Sequence, residues 1–159
     1  MTLVLDAPAR TGTYQLVPDK CVLELVVRTL RLPLVWIRLR VVSASVGLGD
    51  PGWLHAEIAS TPLFASLPFP RLWTLRSVPR RVRVRVEAEL PPLAVGPAVH
   101  VSAIATAAER RWSVPLDVRL VALDEQKVVL AVRGNVARPP GVLVLRSPLF
   151  VDAAAEFQR

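Results

Sequence analysis

Three observations predict an all-β fold, a barrel or sandwich of roughly eight or nine short strands. The stretch from Arg81 to Leu90 alternates charged and apolar residues one for one. Pro (15) and Gly (7) cut the 159-residue chain into short segments. No segment holds the three-to-four-residue apolar spacing of a helix for long. In the alternating stretch a strand puts Val82, Val84, Val86 and Ala88 on one face. Arg81, Arg83, Arg85, Glu87 and Glu89 then face water, whereas a helix would scatter the same residues around its axis.

Taken in order, Thr13 to Val17 reads as a first strand, ended by a Pro18-Asp19 turn. Val22 to Leu30 is a second, with Leu23, Leu25 and Val27 opposed by Glu24, Val26 and Arg28, and Arg31-Leu32-Pro33 breaks it. Leu34 to Val46 places Val35, Ile37, Leu39 and Val41 on the core side and Trp36, Arg38 and Arg40 on the other. The glycines and Pro51 between Gly47 and Gly52 form a hairpin-like loop. Trp53 to Ser60 turns Leu54, Ala56 and Ile58 inward and His55 and Glu57 outward. Thr61 to Pro70, with three prolines among apolar residues, is expected to be a loop. Leu72 to Val78, carrying Trp73, is expected as a strand ahead of the alternating one, which Pro91-Pro92 stops. Strands follow at Val99–Ala107, Ser113–Ala122 and Lys127–Asn135, the last two joined by a tight turn at Asp124-Glu125-Gln126. After Arg138-Pro139-Pro140-Gly141, a short strand at Val142–Arg146 precedes a helical or frayed tail. The expected organisation is one domain over 13–150, an extension over 1–12 and a tail over 151–159.

Composition narrows the function classes. A hydrophobic fraction of 52% and a mean hydropathy of +0.42 are high, yet no apolar run reaches the roughly 18 residues of a membrane helix. The N terminus lacks a basic start followed by an apolar stretch, so no secretory signal and a cytoplasmic location are expected. A single cysteine, Cys21, leaves no internal disulfide and no cysteine-based zinc cluster. The net charge of +7 is almost all arginine, since Lys20 and Lys127 are the only lysines. Arginine suits phosphate or carboxylate, but Ala-, Arg-, Val- and Leu-rich chains also arise from GC-rich coding.

Several segments resemble the YceI-like family. Thr13-Tyr14-Gln15-Leu16-Val17-Pro18-Asp19-Lys20-Cys21 resembles its opening, with Lys20-Cys21 where the family has a His-Ser pair. Leu25-Val26-Val27-Arg28-Thr29-Leu30 is similar to its second-strand segment, and Ala56-Glu57-Ile58-Ala59-Ser60 to a strand ending in Ser. Phe69-Pro70-Arg71-Leu72-Trp73-Thr74-Leu75-Arg76-Ser77 is similar to a stretch where Pro leads into a strand. Trp112-Ser113-Val114-Pro115-Leu116-Asp117-Val118 resembles an apolar-Pro-apolar strand start. The loop between Ser60 and Pro70 is shorter than the family's, the Gly usual near Ile37 is missing, and Arg111 replaces the Gly before Trp112. The resemblance, spread over residues 13–138, implies a lipocalin-like antiparallel barrel of eight strands around an apolar tunnel, with no cofactor beyond a bound polyisoprenoid or quinone lipid.

A barrel of that size either fills its interior with side chains or holds one small ligand. The candidate lining is Leu25, Val27, Val35, Ile37, Leu39, Leu54, Ile58, Trp73, Val82, Val84, Val86, Val114, Leu116 and Val118. Val128, Leu130 and Val132 continue it. These residues, aliphatic apart from Trp73, suit a hydrocarbon chain, which gains only burial and dispersion. Arg76, Arg80, Arg81, Trp36 and Trp112 are candidates for the mouth, as a phosphate contact or a partner surface. Trp36, Trp53, Trp73 and Trp112 either cover the open end of the barrel or, where exposed, meet a homodimer or protein partner. Six arginines and no acid lie between Arg71 and Arg85. They read as a solvated strand face, a phosphate contact or, least well because no aromatics interleave, a nucleic-acid surface.

Enzyme signals are weak. His55-Ala56-Glu57 echoes the H-x-E of zinc deaminases, but the Pro-Cys-x-x-Cys they need is missing. His100 is remote in sequence, and no phosphate loop or nucleophile elbow occurs. Cys21 beside Lys20 reads either as a low-pKa thiol or as a core residue. The reading is a non-catalytic lipid-binding barrel; the alternative is a scaffolding barrel with a filled core that binds another protein or itself through Trp and Arg surfaces.

Overall fold

The computed structural model describes residues 11–29, 32–66, 83–107, 109–136 and 149–159. They form eight strands: β1 (Gly12–Thr29), β2 (Leu32–Leu48), β3 (Gly52–Ser66), β4 (Arg83–Leu90), β5 (Ala98–Ala107), β6 (Arg110–Leu123), β7 (Lys127–Val136) and β8 (Leu149–Gln158). Each pairs with the next in sequence, and β8 pairs with β1, so the sheet closes into an antiparallel up-and-down barrel. Closure gives every strand two neighbours and removes the sheet edges that would otherwise invite association.

Alternation generates the wall. In β6, Val114, Leu116, Val118 and Leu120 are buried, while Ser113, Pro115, Asp117 and Arg119 between them are exposed. In β4 the arginines and glutamates face out, as the one-for-one pattern predicts. Arg83 meets Glu57 on β3 at 3.1 Å, and Arg38 on β2 meets Glu24 on β1 at 2.7 Å. The expected turn at Asp124–Gln126 is present. The Asp124 carboxylate accepts from the Gln126 and Lys127 backbone N–H groups at 2.8 and 2.7 Å.

Four expectations need correction. Pro18-Asp19 does not end a strand: β1 runs on through a register shift, and residues 17–20 pair with neither neighbour, so the missing proline N–H costs no ladder bond. Arg31-Leu32-Pro33 does not hold β2 off until Leu34, since β2 starts at Leu32. Thr61 to Ser66 is strand rather than loop, with Pro62 accommodated where the β2–β3 register slips on either side of Leu39. Val151 to Arg159 is not a helical or frayed tail but most of β8. The helix-favouring run Ala153–Glu156 is overridden because β1 and β7 both need a partner to close the barrel. The strands expected at Leu72–Val78 and Val142–Arg146 lie outside the described residues.

The two ends of the barrel differ. The connections at residues 49–51, 91–97 and 124–126 share one end, called the base here. There Tyr14, Leu48, Leu90, Leu93, Leu120 and Phe157 are buried in one cluster with Val46, Leu54 and Val128. β4 and β5 pair only from Val84↔Ala107 to Glu87↔Ile104. Below that, the 91–97 connection closes the seam: Leu93 enters the core, and the Gly96 N–H donates to the Leu120 carbonyl at 3.0 Å. Gly96 holds φ +114, a left-handed conformation that favours glycine.

Candidate functional site

The candidate site is the inner face of the barrel. Of the sequence-proposed lining, Leu54, Val114, Leu116 and Val118 are buried, as are Val128 and Leu130. Val84, Val86 and Val132 are half-buried against the same cluster. Leu25, Leu39 and Ile58 stand on the inward register and are half-buried. Val27, Val35 and Ile37 fall on paired backbone of β1 and β2, but their side chains lie outside what the structure describes. Trp73, Val82, Arg76, Arg80 and Arg81 also lie outside the described residues.

The sequence reading puts Ala56, Val86 and Ala88 inward but leaves out Ala44, Ala103 and Ala105. A row of alanines runs across the wall: Ala44 on β2 pairs with Ala56, Ala56 with Val86, Val86 with Ala105, and Ala105 with Trp112. Ala88 and Ala103 are buried beside it, and Ala105 is only 2% exposed. Alanine carries little weight in an apolar pattern, yet here it keeps the β2–β5 wall low opposite larger side chains. Among the described residues no buried residue is polar or charged. Within this apolar interior, the Tyr14 hydroxyl and Trp112 Nε1 are buried without a hydrogen-bond partner among the described residues.

Burial varies along the inner face. At the base Tyr14, Leu90, Leu120 and Phe157 are closed off from solvent while Leu16, Val99 and Leu123 are half-buried; toward the other end Leu39, Ile58, Val84, Val86, Trp112 and Val132 are half-buried. Cys21 shares the inward register, opposite Ala155, and burial pushes its thiol pKa up. That is the reverse of an activated nucleophile.

The tryptophans divide between two environments. Trp112 stands on the inward register near the start of β6, opposite Ala105. Trp36 and Trp53 do not cover an opening; both lie on the outer wall. Trp53 lays its indole over Gly47, where an added Cβ would sit 2.8 Å from its Cδ1, and its ring centroid is 4.7 Å from that of His55. Trp36 is 51% exposed. It pairs with Val26, which Phe150 flanks from β8, and Val26 on this outer face is only 6% exposed.

The histidines stand apart on the outer wall. His55 and Glu57 share a face of β3, as the sequence predicts. His100 on β5 sits 2.9 Å from Asp117 on β6, both well exposed. Among the described residues no three His, Cys, Asp or Glu side chains come together as a metal site. No helix among them is long and apolar enough to cross a membrane.

Comparison with known proteins places this geometry. The chain matches, over 94% of its own length and 99% of the other, the solved structure of a polyisoprenoid binding domain from Saccharophagus degradans implicated in plant cell wall breakdown. The TM-score is 0.51 and the identity 13%. The two share a fold. No family model and no curated protein matches the sequence.

Proposed function

We propose that the protein is a non-catalytic binder of an apolar lipid chain, isoprenoid, quinone or fatty acyl, held inside the barrel. The observation that carries this reading is the inner face itself: an aliphatic wall, low where the alanines run, with no buried charged residue among those described. Such a surface offers a hydrocarbon chain burial and dispersion and offers a charged substrate nothing. Each methylene transferred from water is worth about 0.8 kcal/mol, so roughly ten buried carbons yield about 8 kcal/mol before the cost of association. The shared fold with a polyisoprenoid binding domain supports the same reading. It is tested by native mass spectrometry of the protein titrated with prenyl and acyl lipids. One-to-one adducts are expected, and Ala105→Phe, which fills the wall beside Trp112, removes them while the strand signature persists in circular dichroism. A wild-type protein that takes up none of these lipids contradicts the reading.

A second reading draws on the outer wall. Trp36, half-exposed beside the buried Val26 and flanked along the strand by the Arg38–Glu24 ion pair, presents an aromatic surface edged by charge. It suits a protein partner or a second copy of the chain. A monomeric mass that is unchanged at high protein concentration argues against self-association.

A further inference from the structure

Trp112 is the third residue of β6 and Tyr14 the third of β1. Because β1 and β6 run in opposite directions, the two orphan donors sit toward opposite ends of the barrel. Tyr14 is 0% exposed within the closed base. Trp112 stands at the end away from the base, where a chain threaded toward the base would leave its head. On the β5 side its neighbours are Ala105, Val86, Ala56 and Ala44, none of which carries an acceptor, and the wall's backbone carbonyls are engaged in the ladders. Phenylalanine would fill the same apolar space without burying an N–H. A buried indole normally finds an acceptor, and here none is supplied among the described residues.

We infer that Trp112 determines specificity at this site, its indole N–H donating to an oxygen at the head of the bound chain. The preferred ligand is then an oxygen-bearing isoprenoid or acyl lipid rather than a bare hydrocarbon. This rests on the lipid-binding reading above. A carbonyl, a hydroxyl and a phosphate all present the required acceptor, and the Tyr14 hydroxyl, at the far end, does not share it.

The test uses the full chain with nitrogen-15-labelled indoles, titrated with farnesylacetone, geranylgeraniol, geranylgeranyl monophosphate and phytane, a hydrocarbon of similar length. The oxygenated ligand that fits binds about three- to tenfold tighter than phytane, the range expected of one neutral hydrogen bond, and it alone moves the Trp112 indole N–H resonance downfield. Which of the three does so names the head group. In Trp112→Phe the preference collapses while phytane affinity stays within about twofold, since only the donor is lost. The resonance shift keeps the inference testable if that variant does not fold. Equal binding of phytane and all three oxygenated lipids, or the same Trp112 shift with phytane, overturns the inference and leaves chain binding intact. Failure of every ligand to bind, phytane included, overturns both.

Discussion

A close approach of β7 to β6 predicts the effect of one added methyl group. Gly134 on β7 pairs with Leu116 on β6 and lies on the inward register. A Cβ there would stand 2.7 Å from Leu116 Cδ2 and 3.3 Å from Leu116 Cα, and closer still to the Pro115 carbonyl oxygen. The leucine methyl can swing aside; the carbonyl belongs to the wall and cannot move without spreading β6 from β7. Overpacking of this kind costs about 1–3 kcal/mol. Stiffening of the unfolded chain on replacing glycine returns about 0.4–1 kcal/mol. Taking the middle of both ranges, Gly134→Ala is expected to lose about 1–2 kcal/mol. At about 2–4 °C per kcal/mol for a chain of this size, its Tm falls by about 2–8 °C. Urea unfolding followed by circular dichroism reads this as a lower midpoint at unchanged slope. Gly47→Ala is the control, because its obstruction is the Trp53 side chain on the outer wall, so it costs less. A Gly134→Ala protein as stable as the wild type refutes the close β6–β7 approach, and with it the described shape of the wall that carries Leu116 and Trp112.

Three further predictions follow from single groups. Tyr14→Phe removes a buried hydroxyl that has no partner among the described residues, so its stability should equal the wild type or exceed it by up to about 1 kcal/mol; a loss of that size in urea unfolding reveals an acceptor. Glu156, hydrogen-bonded by Lys20 at 2.9 Å with Gln158 and Lys127 close by, has its carboxyl pKa held below the ordinary range. Its contribution is present above the unfolded carboxylate pKa and is lost as pH falls through the folded one. The Tm gap between wild type and Glu156→Gln should therefore narrow on acidification below the carboxylate range, and also in high salt; a gap that widens in acid contradicts the pairing. Trp36, half-exposed, should dominate the acrylamide-quenchable fluorescence among Trp36, Trp53 and Trp112, so Trp36→Phe should lose more of that component than Trp112→Phe.

Much of the barrel was legible in the chain because most strands have one wet face and one dry one. β4 and β6 show this most plainly: Arg85, Glu87 and Glu89, or Asp117 and Arg119, fix the register and leave the aliphatic residues nowhere to point but inward. Legibility fails where that contrast fails. In β8, alanines occupy both faces, at 153 and 155 inside and at 154 outside, so no period shows, and only barrel closure selects strand over helix. Pro18 and Pro62 signal breaks, but a ladder that slips its register has places where no N–H is needed. The candidate site divides the same way. Leu54, Val114, Leu116 and Val118 announce themselves by alternation. The alanine row acquires meaning only when four strands bring its members together, and Tyr14, Leu90, Leu93 and Phe157 become a floor only once the base is closed.

The measurement that bears most directly on the central claim is mass spectrometry of an organic extract from natively purified protein, beside native mass spectrometry of the same sample. A prenyl or acyl species present in stoichiometric amount, with a native mass heavier by that species, is the predicted result. A clean chain mass that does not change when quinone or prenyl phosphate is added would contradict it.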